Sequence, residues 1–228
     1  MGYLARDDIF SDITILLSMK KEVLQKILID IKSKKIAVIG DFCLDAYWFI
    51  DESKSEISIE TGQITRPVRQ QKYSLGGAGN VAANLAALGV KEILAFGVVG
   101  TDPFGAEMRS IMNNLYINAE NILEQTDEWY THVYTKPYIQ DEEQNRIDFG
   151  NYNVLSEETA DRLLHKLAEK IPEIDVIIIN QQVLSGIHTP YFRQKLVQII
   201  LSLPHKIFIS DSRNYADQYE GTYRKMNE

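Results

Sequence analysis

The sequence has 228 residues, of which 45% are hydrophobic and 25% charged, and its formal net charge is −8. This composition is typical of a folded α/β protein with a sizeable core. The acidic balance argues against a nucleic-acid or anionic-membrane surface, since both need clustered Lys and Arg side chains. No apolar run approaches the roughly 18 residues of a membrane span. One cysteine excludes an internal disulfide, so we expect a cytoplasmic protein.

The chain before the first strand is predicted to form an amphipathic helix. Apolar residues recur at helical spacing over residues 13–31, with lysines and acids between them. We therefore expect residues 1–33 to form a helical extension that packs either on the domain or on a second subunit. Residues 36–40 follow as a short apolar run ending in glycine, which is the pattern of a buried parallel strand.

Two aspartates, Asp41 and Asp45, follow this first strand. Ligands of open α/β sheets bind beyond the carboxyl ends of the strands, so both carboxylates are placed to meet one. A loop or capping role fits Asp41 equally well and Asp45 less well. Residues 46–73 are more polar and alternate like half-exposed strands, which predicts a small β-sheet flap instead of further sheet core.

A glycine-rich stretch, Ser74-Leu-Gly-Gly-Ala-Gly-Asn80, separates this flap from a helix predicted to begin at about Asn80. Glycines let backbone amides approach a ligand closely, and a helix N-terminus supplies unpaired N–H groups. The stretch therefore suits an oxygen-rich or anionic ligand, with Asn80 either capping the helix or offering its amide to hydroxyls. A tight turn that packs the helix closely explains the glycines equally well.

The rest of the chain alternates apolar strands with amphipathic helices, which predicts a doubly wound, mostly parallel sheet with helices on both faces. Predicted strands cover residues 92–100, 129–138, 145–149, 175–180 and 206–210, and predicted helices cover residues 103–114, 157–170 and 190–203. Asn180 and Asp211 follow two of these strands and, with the two earlier aspartates, outline a crevice for a polyhydroxy ligand. The four histidines are scattered without ligand spacing, so we predict no metal site.

A dinucleotide-binding site is a second interpretation of the glycine stretch. Gly77-x-Gly79-x-x-Ala82 fits the loose fingerprint of such sites, and Asp102 lies where a ribose-binding acid is expected. The fingerprint needs a buried strand immediately before its first glycine, however, and residues 69–74 are too polar to form one. An oxidoreductase is therefore the weaker alternative.

Four segments carry a resemblance to a known family. They are Ile36-Ala-Val-Ile-Gly-Asp-Phe-Cys-Leu-Asp-Ala-Tyr-Trp48, Gly76-Gly-Ala-Gly-Asn-Val-Ala82, Arg146-Ile-Asp-Phe149 and Ile209-Ser-Asp211. In order and spacing they resemble the PfkB/ribokinase family of sugar kinases, and within it the heptose-7-phosphate kinase domains of ADP-heptose synthases. The resemblance covers about residues 34–228.

The resemblance implies a ribokinase-like α/β domain over residues 34–228, incomplete at its C-terminal side, with lid strands within about 46–73 and 129–149. It also implies a homodimer formed through the lid, and the use of ATP and Mg²⁺ by the complete enzyme. Asp45 would bind sugar hydroxyls, and Arg146 would lie near the sugar or its phosphate. The sugar pocket would be lined by Gly76, Gly77 and Asn80.

The nucleotide side and the catalytic centre match the family less well. Asn180 and Asp211 would lie on the nucleotide side, but Asn180-Gln-Gln182 stands where the family has a Ser-Asp-Tyr type sequence, and Asp211-Ser-Arg213 replaces Asp-Pro-Lys. The family's downstream Asn-x-x-Glu and Gly-Ala-Gly-Asp segments, with the catalytic Asp, are not found in the sequence. We therefore expect the sugar-binding portion of an ATP-dependent kinase for a heptose or hexose phosphate, inactive alone. A non-catalytic module for sugar binding or dimerisation is the alternative.

Overall fold

The computed structural model describes residues 20–225, which form two β-sheets and five α-helices. The strands are β1 (Lys35–Gly40), β2 (Phe42–Ile50), β3 (Val68–Gly77), β4 (Glu92–Val99), β5 (Asn118–Glu124), β6 (His132–Ile139), β7 (Glu142–Glu143), β8 (Ile147–Phe149), β9 (Val176–Gln181), β10 (Ile207–Ser212) and β11 (Tyr223–Lys225). The helices are α1 (Lys21–Asp30), α2 (Ala78–Ala87), α3 (Pro103–Asn114), α4 (Glu157–Lys170) and α5 (Pro190–Ser202). None of these helices has the length and apolar character needed to cross a membrane.

The first sheet has six strands in the order β11-β10-β9-β1-β4-β5, and every neighbouring pair is parallel. Its central strands are almost wholly apolar because both of their faces are covered. Side chains of α4 and α5 pack on one face, and side chains of α2 and α3 pack on the other. The predicted doubly wound parallel sheet with helices on both faces is confirmed.

The second sheet is smaller and more exposed. Its order is β3-β2-β6-β7, with β8 also paired to β6; β2 and β6 run parallel, and the other pairs run antiparallel. The strands β2 and β3, with the loop between them, cover residues 42–77, whereas the predicted flap covered residues 46–73. The earlier start arises because β2 continues from β1 after one residue, Asp41. Pairing of β2 with β3 sets Phe42 opposite Gly77, so the glycine stretch closes the sheet at this end.

Two strands at the edges of the first sheet, β5 and β11, are not predicted by the sequence pattern. β5 mixes Asn and Glu with apolar residues, and only some of its side chains are buried. β11 has three residues, all exposed. An edge strand needs backbone pairing on one side only, so its side chains are under weaker pressure to be apolar.

The helix α1 occupies the described part of the predicted N-terminal helix, and residues 13–19 of that prediction lie outside the described residues. α1 buries none of its side chains, and Val23, Ile27 and Ile29 are 47%, 47% and 68% exposed. The described part of this helix is therefore not buried against the domain, and packing on the domain or on a second subunit stays a prediction.

Candidate functional site

A cavity of about 480 Å³ opens along the edge strand β3, between that strand, β2 and the helices α2 and α3. Its walls are formed by Asp45, Tyr47, Tyr73, Ser74, Leu75, Gly76, Gly77, Asn80, Ala83, Ile111 and Leu115. The structure thus brings together four of the five residues that the family resemblance assigns to the sugar. These four are Asp45, Gly76, Gly77 and Asn80.

Gly76 makes room for the carboxylate of Asp45. In the antiparallel pair of β2 with β3, Asp45 lies opposite Ser74 and Cys43 lies opposite Gly76, so all four positions share one face of the second sheet. A Cβ atom on Gly76 would lie 2.9 Å from Oδ2 of Asp45. The missing side chain therefore leaves the space into which the Asp45 carboxylate extends.

Gly77 is required by the backbone. Its φ of +54° lies in the left-handed region that side chains disfavour, and a Cβ atom there would overlap the carbonyl oxygen of Asp41. The helix α2 begins at the next residue, Ala78, earlier than the predicted start at about Asn80. The Ala78 N–H donates to that Asp41 oxygen at 2.9 Å, so this amide is not free for a ligand as the sequence suggested. Asn80 lies in the first helical turn, exposed in the cavity wall.

Lys136 reaches the same carboxylate from the neighbouring strand β6. Its Nζ lies 2.8 Å from Oδ1 of Asp45, and each side chain is 21% exposed. The ammonium group also lies 5.0 Å from the ring centre of Tyr47. Burial alone would lower the pKa of Lys136, but the hydrogen bond to Asp45 and its negative charge together raise that pKa. No sequence motif marks this lysine, because its partner lies on a strand distant in the chain.

Arg146 lies on the same face of the second sheet but outside the cavity wall. Its Nε and Nη2 donate to the two carboxylate oxygens of Asp148 at 2.6 and 2.7 Å. Its guanidinium lies 4.4 Å from the ring centre of Tyr134, which is directly opposite Asp45 in the pair of β2 with β6. The hydrogen bond to Asp148 raises the pKa of Arg146 against partial burial, and the negative charges of Asp148 and Asp45 add to the effect.

Asp41 holds a loop together. Its side chain is buried, and its carboxylate accepts hydrogen bonds from the backbone N–H groups of Gln182 at 2.8 Å, Val183 at 3.1 Å and Ile187 at 3.0 Å. These three amides belong to the segment between β9 and α5. Of the two aspartates that follow the first strand, Asp45 lines the cavity and Asp41 has the loop role that the sequence left open.

Asn180 and Asp211 lie side by side at the carboxyl ends of β9 and β10. Nδ2 of Asn180 donates to Oδ2 of Asp211 at 3.4 Å, and Nζ of Lys225 lies 3.3 Å from the same oxygen. Asn180 is 1% exposed, and its Oδ1 has no hydrogen-bond partner within residues 20–225. Asp211 is more accessible, with 26% of its side chain exposed. A ligand in this crevice would meet Asp211 first, with Asn180 behind it.

Comparisons with known proteins identify the family of this chain. A family profile described as pfkB family carbohydrate kinase matches residues 33–219. The chain belongs to this family. The Bifunctional protein HldE of Helicobacter pylori (strain G27) is 34% identical over 185 residues, covering 79% of this chain and 38% of that protein. The Bifunctional protein HldE of Wolinella succinogenes is 27% identical over 186 residues, covering 82% of this chain and likewise 38% of the relative.

Solved structures of sugar kinases share the fold. A carbohydrate kinase from Agrobacterium tumefaciens matches with a TM-score of 0.55 at 19% identity, over 78% of this chain and 53% of that one. The ribokinase of Arabidopsis thaliana, complexed with ribose and ATP, matches with a TM-score of 0.50 at 15% identity and the same coverage, 78% and 53%. This pfkB family chain therefore spans about half the length of those structures and less of its curated relatives.

The family and the topology overturn the dinucleotide interpretation of the glycine stretch. The strand before Gly77 is β3, which is mostly exposed and pairs antiparallel with β2, whereas the fingerprint needs a buried parallel strand. Asp102 caps α3, accepting from the N–H groups of Phe104 and Gly105 at 3.0 Å each. Across the described chain, no three His, Cys, Asp or Glu side chains form a group able to hold a metal ion.

A buried polar group lies behind the crevice, centred on His188, which the sequence did not single out. Nε2 of His188 lies 3.1 Å from the carbonyl oxygen of Asn180, and Nδ1 lies 2.6 Å from the hydroxyl of Tyr219. A carbonyl only accepts, so Nε2 carries the proton and Nδ1 accepts from the tyrosine. Burial lowers the pKa of His188, which keeps the ring neutral, and burial raises the pKa of Tyr219.

Proposed function

We propose that this chain provides the sugar-binding region of an ATP-dependent carbohydrate kinase, and that the sugar is a heptose or hexose phosphate. The observation that carries the proposal is the carboxylate of Asp45, held beside Gly76 in the wall of a cavity of about 480 Å³. A fixed carboxylate accepts hydrogen bonds from sugar hydroxyls, and a few placed polar groups in a concave site set the orientation of a ligand.

Asp45 and Asn80 would each form hydrogen bonds to different hydroxyl groups of the sugar. The carboxylate only accepts hydrogen bonds, whereas the Asn80 amide both donates and accepts. Gly76 and Gly77 keep this wall free of side chains, so a sugar ring can approach the backbone. Phosphoryl transfer depends mainly on positioning and charge stabilisation, so holding the sugar in one orientation contributes to the rate. We assign no catalytic base among residues 20–225.

Two cations near the cavity support a phosphorylated substrate. Lys72 lies opposite Tyr47, and Arg146 stacks on Tyr134, so both are on the face of the second sheet that carries Asp45. A phosphate group carries between one and two negative charges at neutral pH, and Arg and Lys are the side chains that bind it. The resemblance to heptose-7-phosphate kinase domains favours a heptose phosphate.

The nucleotide would bind at the carboxyl ends of β9 and β10, where ligands of open α/β sheets are found. ATP with Mg²⁺ supplies the phosphoryl group and neutralises its charge. The partly exposed carboxylate of Asp211 fits this role, because magnesium binds through one or two carboxylates together with substrate phosphates. Asn180 lies beside it and is buried, with its amide donating to the Asp211 carboxylate.

The homodimer implied by the resemblance stays a prediction. Ile57, Ile59 and Ile64 lie on the loop between β2 and β3, where a bridge joins Ile57 to Ile64, and they are 71%, 98% and 69% exposed. A second copy that covered this loop would remove apolar area from water. The loop is therefore the surface of the second sheet that we expect a partner to contact.

A thermal-shift titration tests the sugar-binding part of this proposal. A ligand at 100 times its dissociation constant stabilises the folded state by about 2.7 kcal/mol, which for a chain of this size raises the melting temperature by roughly 5–10 °C. We expect such a shift with heptose 7-phosphate or glucose 6-phosphate, and its loss in Asp45→Ala. Asp141→Ala, on the exposed turn between β6 and β7, is the matched control and should keep the shift. A shift with NAD and with neither sugar phosphate would contradict the proposal.

A further inference from the structure

We propose that Lys136 is a positioning residue: it holds one oxygen of the Asp45 carboxylate so that the other is fixed for a sugar hydroxyl. This inference rests on the proposed function. Nζ of Lys136 lies 2.8 Å from Oδ1 of Asp45, while Oδ2 is the oxygen that extends over Gly76. The two oxygens of one carboxylate thus have separate surroundings, one cationic and one an open stretch of backbone.

The sheet register explains how the lysine reaches this position. In the parallel pair of β2 with β6, Lys136 lies opposite Tyr47, and Asp45 is two residues before Tyr47 on the same face. The lysine side chain therefore runs diagonally back to the aspartate, across the tyrosine ring, whose centre is 5.0 Å from Nζ. The ring and the carboxylate together limit the rotamers that this flexible side chain can adopt.

Direct recognition of phosphate by Lys136 is the competing role. Its ammonium group is largely covered and already paired with Asp45. Lys72, in contrast, is exposed on the same face of the sheet and lies 5.3 Å from the ring centre of Phe49. Arg146 is the other nearby cation, and both carboxylate oxygens of Asp148 contact it. Lys72 is thus better placed to meet an incoming anion, and Lys136 is better placed to orient Asp45.

A double-mutant cycle on sugar binding separates the two roles. We would measure the affinity for heptose 7-phosphate and glucose 6-phosphate by calorimetry for the wild-type chain, Lys136→Met, Asp45→Asn and the double variant. Loss of a charge-assisted hydrogen bond corresponds to roughly tenfold weaker binding. If Lys136 acts through Asp45, Lys136→Met binds about tenfold more weakly than wild type, and the double variant binds no more weakly than Asp45→Asn alone. Lys136→Arg should recover most of the affinity.

Lys54→Met is the matched control, since it removes one positive charge at an exposed position on the loop between β2 and β3, without touching Asp45. This variant should keep the wild-type affinity for glucose and for glucose 6-phosphate, whereas Lys136→Met should weaken the binding of both equally. Additive effects in the cycle, or a Lys136→Met loss restricted to phosphorylated sugars, would show that Lys136 reads the phosphate and would overturn the inference. Unchanged affinity in Lys136→Met would also overturn the inference. If Lys136→Met does not fold, Lys136→Gln takes its place in the cycle. If the wild-type chain binds none of these sugars, the proposed function fails, and this inference fails with it.

Discussion

Replacing Asp41 by asparagine should destabilise the fold strongly, although the change keeps the size and shape of the side chain. The buried carboxylate accepts three backbone N–H groups, two at Oδ2 and one at Oδ1. An asparagine has one accepting oxygen, so its amide nitrogen must face at least one of these donors. The least damaging orientation directs the nitrogen toward the N–H of Ile187 and keeps the bonds from Gln182 and Val183.

The expected loss follows from this count. One buried N–H without a partner costs about 1–3 kcal/mol, and the two remaining bonds lose the contribution of the acceptor's charge. We therefore expect Asp41→Asn to lower the free energy of unfolding by about 2–4 kcal/mol, a large part of a total that is usually 5–15 kcal/mol. For a chain of this size the melting temperature should fall by roughly 4–16 °C.

Urea unfolding followed by tryptophan fluorescence measures this difference directly. Asp45→Asn is the matched control, because it removes the same charge from a half-buried aspartate with one ion pair, and it should cost less than about 1 kcal/mol. Gly186→Ala tests the same contact from the other side, since its Cβ atom would overlap the Asp41 carboxylate. If Asp41→Asn unfolds within about 0.5 kcal/mol of wild type and instead abolishes sugar binding, Asp41 is a ligand residue and the reasoning is wrong.

Two further predictions concern the glycines and a buried histidine. Gly76→Ala should weaken sugar binding at a small cost in stability, because its Cβ atom displaces only the end of the Asp45 side chain. Gly77→Ala should destabilise the fold, because its Cβ atom meets a backbone oxygen at positive φ; equal stability of the two variants would refute this. His188 has a lowered pKa in the fold, so the unfolded chain binds the proton more readily, and stability present above about pH 6.5 is lost as the pH falls below it. Comparing urea unfolding at pH 7.5 and 5.5, His188→Gln should show a smaller loss than wild type, and His165→Gln, at an exposed position, should lose as much as wild type.

The main sheet and four residues of the candidate pocket were predictable from sequence because their signals are local. Buried parallel strands are apolar on both faces, so their runs stand out without knowledge of their neighbours. Asp45, Gly76, Gly77 and Asn80 lie in two short motifs, and the antiparallel pairing of β2 with β3 brings the motifs together. The residue types alone left a tight turn and a loop or capping role open, and the resemblance to the family assigned these four residues to the sugar.

The features that the sequence did not indicate depend on contacts between distant segments. Lys136 is one of many lysines until the register of β6 sets it beside Asp45. The helix α2 begins at Ala78 because Gly77 ends a strand of the second sheet, and that strand is too polar to be recognised as part of a core. The apolar spacing of α1 likewise does not show whether the helix is exposed, because the spacing is the same whether or not a partner covers the helix.

The segments that connect the two sheets explain why several polar residues are buried or half-buried in this fold. A segment that passes from one sheet to the other has no neighbouring strand, so its backbone N–H and C=O groups need other hydrogen-bond partners. Asp102, Gln125 and Asn153 supply them here through hydrogen bonds to backbone atoms of these connections. Asp41 lies in such a connection itself, because its backbone joins β1 to β2, and its carboxylate holds the loop after β9. A change in the angle between the sheets must therefore strain these bonds, so these polar side chains contribute to the orientation of the second sheet relative to the first.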